Sequence, residues 1–375
     1  MTERPVTLQD LPAPEPSLGV EAYRRERELA LAASPKCREN YERYLQASRR
    51  GASVDYLPIK LDVENVSRCN FKCTMCVVSE WPKGQRAEDM SFEDFSRLLD
   101  EQYGLVEIKL QGIGEPTMQG DAFFRMIRHA RERHIWVRTT TNASLLHLKE
   151  NYKKLVDSGV NEIQISIDGA DKATFESIRV GSRFEKVVEN CKRINAYCDQ
   201  VGRWPTKSWT VVQRGNAHQL PEIVELSAAM GFRNHVFSLT LSDWGLDAWS
   251  ERNNAVTEAA LDPAFLMERV RQGERLGIKV RFWSVIEKYD SDRTESLCPW
   301  PFERAYVSSD LRVVPCCYVG NPEVLEIGKG LREEGGFSAV WTSEAYAEFR
   351  RDHLEGRIPR VCQGCYARGG ERSHV

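Results

Sequence analysis

From residue 59 onward the chain alternates short apolar runs with amphipathic stretches, and this alternation restricts its fold more than any other property. A strand buried on both faces reads as an apolar run, and a covering helix reads with a 3.6-residue period. Repeating the pair builds a parallel sheet, because each crossover must carry the chain back to the same end. The runs 59–64 (IKLDVE), 106–110 (VEIKL), 135–140 (IWVRTT), 163–168 (IQISID), 208–213 (SWTVVQ) and 235–240 (HVFSLT) are the expected strands. Between them, Ser91 is placed to cap a helix carrying Phe92, Phe95, Leu98 and Leu99, and further helices are expected at about 121–133, 144–157, 184–198 and 217–230. Six βα units predict an α/β fold, a partial TIM-like (βα)6 barrel.

The flanks read differently. Pro5, Pro12, Pro14 and Pro16 make the lead-in extended, and 18–50 reads as a helical strap with Leu29, Ala30, Tyr41 and Leu45 facing a neighbour. Residues 1–58 are therefore expected to form a mostly helical extension, and 59–285 the barrel with a last helix near 263–275. Residues 286–375 are expected to form a small α+β domain, with a hairpin (RAYVSS, then LRVVPC) and a helix near 343–353. With 52 basic against 55 acidic residues and a net charge of -3, the chain has no polyanion-binding character, so no nucleic-acid partner is expected. No apolar run has bilayer length and the N-terminus lacks a signal pattern, so a cytoplasmic address without a membrane partner is expected. In that compartment eleven cysteines are thiolates or metal ligands before they are disulfides.

Three of them, Cys69, Cys73 and Cys76, follow the first strand in a CX3CX2C spacing. Zinc asks for a fourth Cys or His, and the nearest histidines, His129 and His134, are distant in sequence. Three thiolates suit a 4Fe-4S cluster that keeps one iron open. Here the segment CNFKCTMC resembles the radical S-adenosylmethionine (SAM) enzymes. The resemblance implies a cluster whose open iron chelates SAM, an external electron donor such as flavodoxin or ferredoxin, and a 5'-deoxyadenosyl radical that abstracts hydrogen from a substrate. It also implies that Met75 lies against the adenine and that Gly112, Gly114 and Glu115 of GIGEP hold the SAM ammonium group. Asn142 of TNA, Ser166 and Asp168 of SIDG, and Arg179 complete that set, the serine and aspartate toward the ribose and the arginine toward the SAM carboxylate. Ile113 and Ala143 depart from the family pattern, the latter replacing a glycine. Taken singly, these positions also read as turn, core or solvated residues.

Cys298, Cys316, Cys362 and Cys365 form a second set able to close a zinc or an iron-sulfur site. Their context resembles the SPASM or twitch extension of the same superfamily, which implies one auxiliary 4Fe-4S cluster here, although Leu311 stands where that pattern has glycine. On a strand Cys317 would face away from Cys316, either as a hydrogen-atom donor, as in epimerases of this superfamily, or as an inert buried thiol. Cys37, Cys191 and Cys198 read as core thiols, and the loop 242–249 as a cover over a polar substrate or a plain packed loop. The extension does not read as a leader-binding winged helix. The expected substrate is thus a small polar molecule, an aminocyclitol or sugar, undergoing oxidation or epimerisation. Radical modification of a ribosomally made peptide and a non-catalytic iron-sulfur electron carrier are the alternatives.

Overall fold

The computed structural model describes residues 4–47, 51–81, 88–258, 261–285 and 288–367. Its strands are β1 (Lys60–Val63), β2 (Lys72–Cys73), β3 (Glu107–Leu110), β4 (Trp136–Thr141), β5 (Glu162–Ser166), β6 (Arg179–Val180), β7 (Thr206–Val211), β8 (Asn234–Ser238), β9 (Lys279–Trp283), β10 (Arg304–Val307) and β11 (Val313–Val314). Nine of them form one sheet in the order β11-β10-β1-β3-β4-β5-β7-β8-β9, and β2 pairs with β6 in a separate ribbon. Every pair in the large sheet is parallel except β10 with β11. The six expected barrel strands are β1, β3, β4, β5, β7 and β8, in sequence order along the sheet.

Two features differ from expectation. A seventh parallel strand, β9, pairs with β8. The C-terminal hairpin also joins the barrel sheet: β10 runs parallel to β1, from Lys60↔Arg304 to Val63↔Val307. This registration carries the C-terminal cysteines to the barrel rather than to a separate sheet.

The helices follow from local chemistry. The Ser91 hydroxyl accepts from the Asp94 amide at 2.9 Å, capping the helix Phe92–Glu101, whose Phe95, Leu98 and Leu99 are buried at i, i+3 and i+4 spacing. The N-terminal strap is two helices, Val20–Ala33 and Pro35–Ala47, because the residue before a proline is pushed out of helical conformation and Ser34 turns the chain. Of the four strap positions expected to face a neighbour, Leu29 and Leu45 are exposed, while Ala30 packs with Cys37, Ile59 and Val106 and Tyr41 borders that cluster. The extended lead-in protects a sheet edge, since the Pro12 carbonyl accepts from Phe282 N at 2.9 Å and so pairs the free side of β9. Cys191 and Cys198 lie in the main hydrophobic core on the helix Phe184–Val201. Among the described residues no helix is long and apolar enough to cross a membrane.

Candidate active site

A cavity of about 730 Å3 occupies the barrel lumen and its mouth at the C-terminal ends of the strands. Cys69, Cys73 and Cys76 line it from the loop after β1, and Cys298, Cys316, Cys317 and Cys365 line it from the C-terminal segment. The two cysteine groups thus share one cavity. Cys362 points elsewhere, packing with Cys298 and Cys365 against Leu297, Phe302 and Tyr366.

The three-cysteine loop is held on both sides. Its middle cysteine lies in β2, whose pairing with β6 sets Cys73 opposite Arg179, and the Thr74 amide donates to the Ile178 carbonyl at 2.9 Å. On the other side the GIGEP turn presses against it. A Cβ on Gly114 would lie 2.3 Å from the Arg68 carbonyl oxygen and 2.5 Å from that of Val66, and one on Gly112 would lie 2.0 Å from Glu64 Cγ. Only glycine permits that approach. Arg179 is buried, its Nη2 2.7 Å from Asp168 Oδ2 and its Nη1 3.9 Å from Cys73 Sγ.

The remaining residues implied by the resemblance fall at the same mouth, with two differences in what their side chains do. Glu115 lines the cavity, but its carboxylate already accepts from the Thr117 amide and hydroxyl, from Thr141 Oγ1 at 2.6 Å and from Asn142 N at 2.7 Å. Three of these donors share Oε1 and only Asn142 N reaches Oε2, so Glu115 braces the β4 turn while Oε2 keeps an acceptor position. Burial outweighs these bonds and raises its pKa. Asp168, expected beside Ser166 at the ribose, is fully buried behind the cavity wall: one oxygen accepts from Val211 N at 2.8 Å and the other meets Arg179. Ser166 lines the cavity. Asn142 lines it too, with Nδ2 3.0 Å from Asn70 Oδ1 and 3.9 Å from Cys69 Sγ. Met75 lines the cavity as well, and its carbonyl accepts from Trp244 Nε1 at 3.3 Å, so the 242–249 loop does meet the cysteine loop.

Both departures from family glycines occur at positive φ: Ala143 at 60° and Leu311 at 69°. That explains the family's glycine, since a residue with a Cβ pays about 1–2 kcal/mol there. The β10–β11 turn forms nonetheless, closed by Leu311 N to the Ser308 carbonyl at 2.9 Å and Arg312 N to Ser308 Oγ at 3.0 Å. Cys316 and Cys317 lie beyond β11, outside any strand, so strand alternation does not separate them, and both line the cavity.

The donor sets suit iron-sulfur clusters. Burial pushes the Cys69 and Cys76 thiols up to about 12 and raises Cys73 as well. The Cys298 thiol is likewise pushed up to about 12 and that of Cys365 to about 11. Thiols so desolvated become thiolates only against a cationic centre. Among the described residues no three Cys, His, Asp or Glu side chains converge tightly enough for a single ion. Ligands of a four-iron cube sit on separate corners and need no such convergence.

Sequence reasoning missed the lumen below this mouth. Asp62, Arg304, Glu107, Arg138, Glu162 and Lys207 form a chain of ion pairs across the strands, with Arg304 3.2 Å from Asp62 and 2.9 Å from Glu107, and Arg138 3.3 Å from Glu107 and 3.2 Å from Glu162. Tyr23 from the strap donates to Glu107 at 2.8 Å. Glu64 was also missed: its carboxylate accepts from Ile113 N at 3.1 Å and Ser309 N at 3.0 Å, tying the GIGEP turn to the C-terminal hairpin. The signal was present, since charged residues at alternate positions of otherwise apolar strands must face something polar.

A parallel barrel with three cysteines after its first strand, and four more brought to its mouth by a C-terminal hairpin, is the architecture of a radical SAM enzyme. The chain belongs to the radical SAM superfamily, whose model matches residues 66–226, and it carries the SPASM iron-sulfur cluster-binding domain over residues 298–366. Its cofactors are accordingly SAM, the 4Fe-4S cluster of the first domain and auxiliary iron-sulfur of the second. Among curated proteins it is 27% identical to the tungsten-containing aldehyde ferredoxin oxidoreductase cofactor-modifying protein of Pyrococcus furiosus, over 77% of this chain and 82% of that one. It is 24% identical to the PqqA peptide cyclase of Bradyrhizobium diazoefficiens, over 86% and 82%. The solved structure of Streptococcus suis SuiB bound to precursor peptide SuiA superposes with a TM-score of 0.61 at 17% identity, covering 83% of this chain and 71% of SuiB.

Proposed function

We propose that the protein is a radical SAM enzyme that modifies a peptide, with the reacting residue inserted into the barrel lumen. The observation that carries the chemical half of this reading is the single cavity lined by both cysteine groups. When bound to Cys69, Cys73 and Cys76, the cluster supplies the electron that releases a 5'-deoxyadenosyl radical from SAM.

This chain's own residues do the positioning. Arg179, held by Asp168 at 2.7 Å beside Cys73, would offer its guanidinium to the SAM carboxylate. The backbone of the Gly112–Gly114 turn would take the amine, Ser166 the ribose and Met75 the adenine, while Asn142 orients the loop through Asn70. Cys298, Cys316, Cys362 and Cys365 would hold one auxiliary cluster. Cys317, which lines the cavity where the fields of Asp62, Lys109 and Arg304 meet, is the candidate hydrogen-atom donor.

The peptide half rests on the relatives: a peptide cyclase aligned over 86% of the chain and a neighbouring fold solved with its precursor peptide. They favour a peptide over the aminocyclitol or sugar expected from sequence. The mouth suits a side chain entering from a backbone held outside, because Trp244, Trp283, Trp300 and Tyr289 line it. The test is anaerobic turnover of the reconstituted enzyme with SAM, a reductant and either short peptides encoded beside its gene or aminocyclitols and sugars. Deoxyadenosine formation stimulated by a peptide, with a mass change in that peptide, is expected; stimulation by the small molecules alone would reject the peptide assignment.

A further inference from the structure

The ion-pair chain of the lumen leaves one cation over. Asp62, Glu107 and Glu162 face Arg304, Arg138 and Lys207, and Lys60 is paired separately with Glu303 at 2.9 Å. Lys109 lines the same cavity, and no described residue gives it a hydrogen bond or an ion pair. Its field reaches Asp62, Lys207 and Cys317, but no carboxylate among the described residues comes within ion-pair distance. Glu15, the other acid at the floor, is exposed.

A half-buried ammonium without a partner costs free energy unless something supplies the missing charge. Its surroundings are those of a carboxylate site. In the register Lys109 lies between Asp62 of β1, whose carboxylate is held by Arg304 at 3.2 Å, and Arg138 of β4; Thr140 follows two positions further up β4, opposite Gln164 of β5. Successive residues of a strand alternate faces, so Thr140 and Gln164 stand one layer above Lys109, toward the SAM-binding mouth, and both line the cavity. The Thr140 hydroxyl is buried and has no partner among the described residues. A hydroxyl, an amide and an ammonium supply the donors that a carboxylate needs, and the set lies below the glycine turn that follows β3.

We infer that Lys109, with Thr140 and Gln164, forms a subsite for a carboxylate of the substrate, which fixes the substrate below the SAM site. The inference deepens the proposed function and rests on its reading of the lumen as the substrate chamber. If the substrate is a peptide, the subsite selects an acidic side chain or a C-terminus; if it is a small molecule, a sugar acid.

The test is equilibrium dialysis of the anaerobically reconstituted enzyme with SAM against three probes: N-acetylglutamate amide, its neutral glutamine counterpart, and glucuronate. At least one acid should bind about tenfold or more tightly than the neutral probe. Lys109→Met should abolish that preference, Thr140→Val should weaken it, and Lys109→Arg should keep it; iron content and thermal midpoint show that the variants are folded. Preference for the glutamate probe supports the peptide arm. Preference for glucuronate retains the subsite and rejects the peptide reading. Equal binding of acid and amide, no binding by any probe, or a preference that survives in Lys109→Met overturns the inference.

Discussion

Gly114→Ala should disable catalysis while barely touching stability. The new Cβ would meet Arg68 O at 2.3 Å, Val66 O at 2.5 Å and the Ser67 carbonyl carbon at 2.8 Å. Comfortable contacts begin near 3.5 Å, so the backbone of 66–68 must retreat by about 1 Å. These atoms belong to the segment leading directly into Cys69, and none is the end of a flexible side chain. Overpacking of this kind costs about 1–3 kcal/mol. With unfolding entropy near 2.1 cal/mol/K per residue, that lowers the thermal midpoint of a chain this size by only about 1–4 °C. Displacing a catalytic frame by about 1 Å costs on the order of 100-fold in rate. Gly202→Ala is the matched control: Gly202 has φ 69° with nothing within 4 Å of its Cβ, so it carries a similar strain penalty of about 1–2 kcal/mol far from the loop. The assay is reductive release of 5'-deoxyadenosine alongside thermal unfolding. Equal midpoints with activity lost only in Gly114→Ala are expected. Wild-type cleavage by Gly114→Ala, or equal loss in both variants, would refute the reasoning.

Asp168→Asn should destabilise the protein by about 3–5 kcal/mol, since it strips the buried Arg179 of its counter-charge 2.7 Å away. Urea unfolding should show part of the loss restored by adding Arg179→Met, and an unchanged midpoint in the single variant would contradict the pairing. Cys362→Ala, which does not touch the cavity wall, should lower iron from about eight to about four per chain, whereas Cys317→Ala should retain it all; iron analysis decides both. Glu107 is desolvated, which alone would raise its pKa, but Arg304, Arg138 and Lys60 outweigh burial and hold it below its ordinary 4.5. A depressed carboxyl contributes stability above pH 4.5 and loses it as the pH falls toward its folded value. Thermal midpoints measured between pH 7 and pH 3 should therefore fall more steeply below pH 4.5 for the wild type than for Glu107→Gln, and parallel curves would count against the assignment.

What the sequence made legible and what it hid divide along one physical line. Interactions local in the chain were visible: Ser91 caps its helix, Phe95, Leu98 and Leu99 face the core, and Cys69, Cys73 and Cys76 fall on one short loop. Pairings between distant residues were not. Nothing in RAYV announces that Arg304 will register with Lys60 across more than two hundred residues, and KVRFW, with Lys279 exposed and Arg281 half-buried, lacks the continuous apolar run by which a doubly buried strand is recognised. The acceptors misjudged at the site share this cause. A carboxylate in a motif reads as free for a ligand, yet Asp168 is occupied on both oxygens by Val211 and Arg179, and Glu115 already braces Thr117, Thr141 and Asn142, because the motifs themselves converge at the strand ends. The same convergence makes the leftover charge at Lys109 informative. Where the other lumen charges have found partners within the chain, the one without a partner among the described residues marks where something outside the chain must supply it.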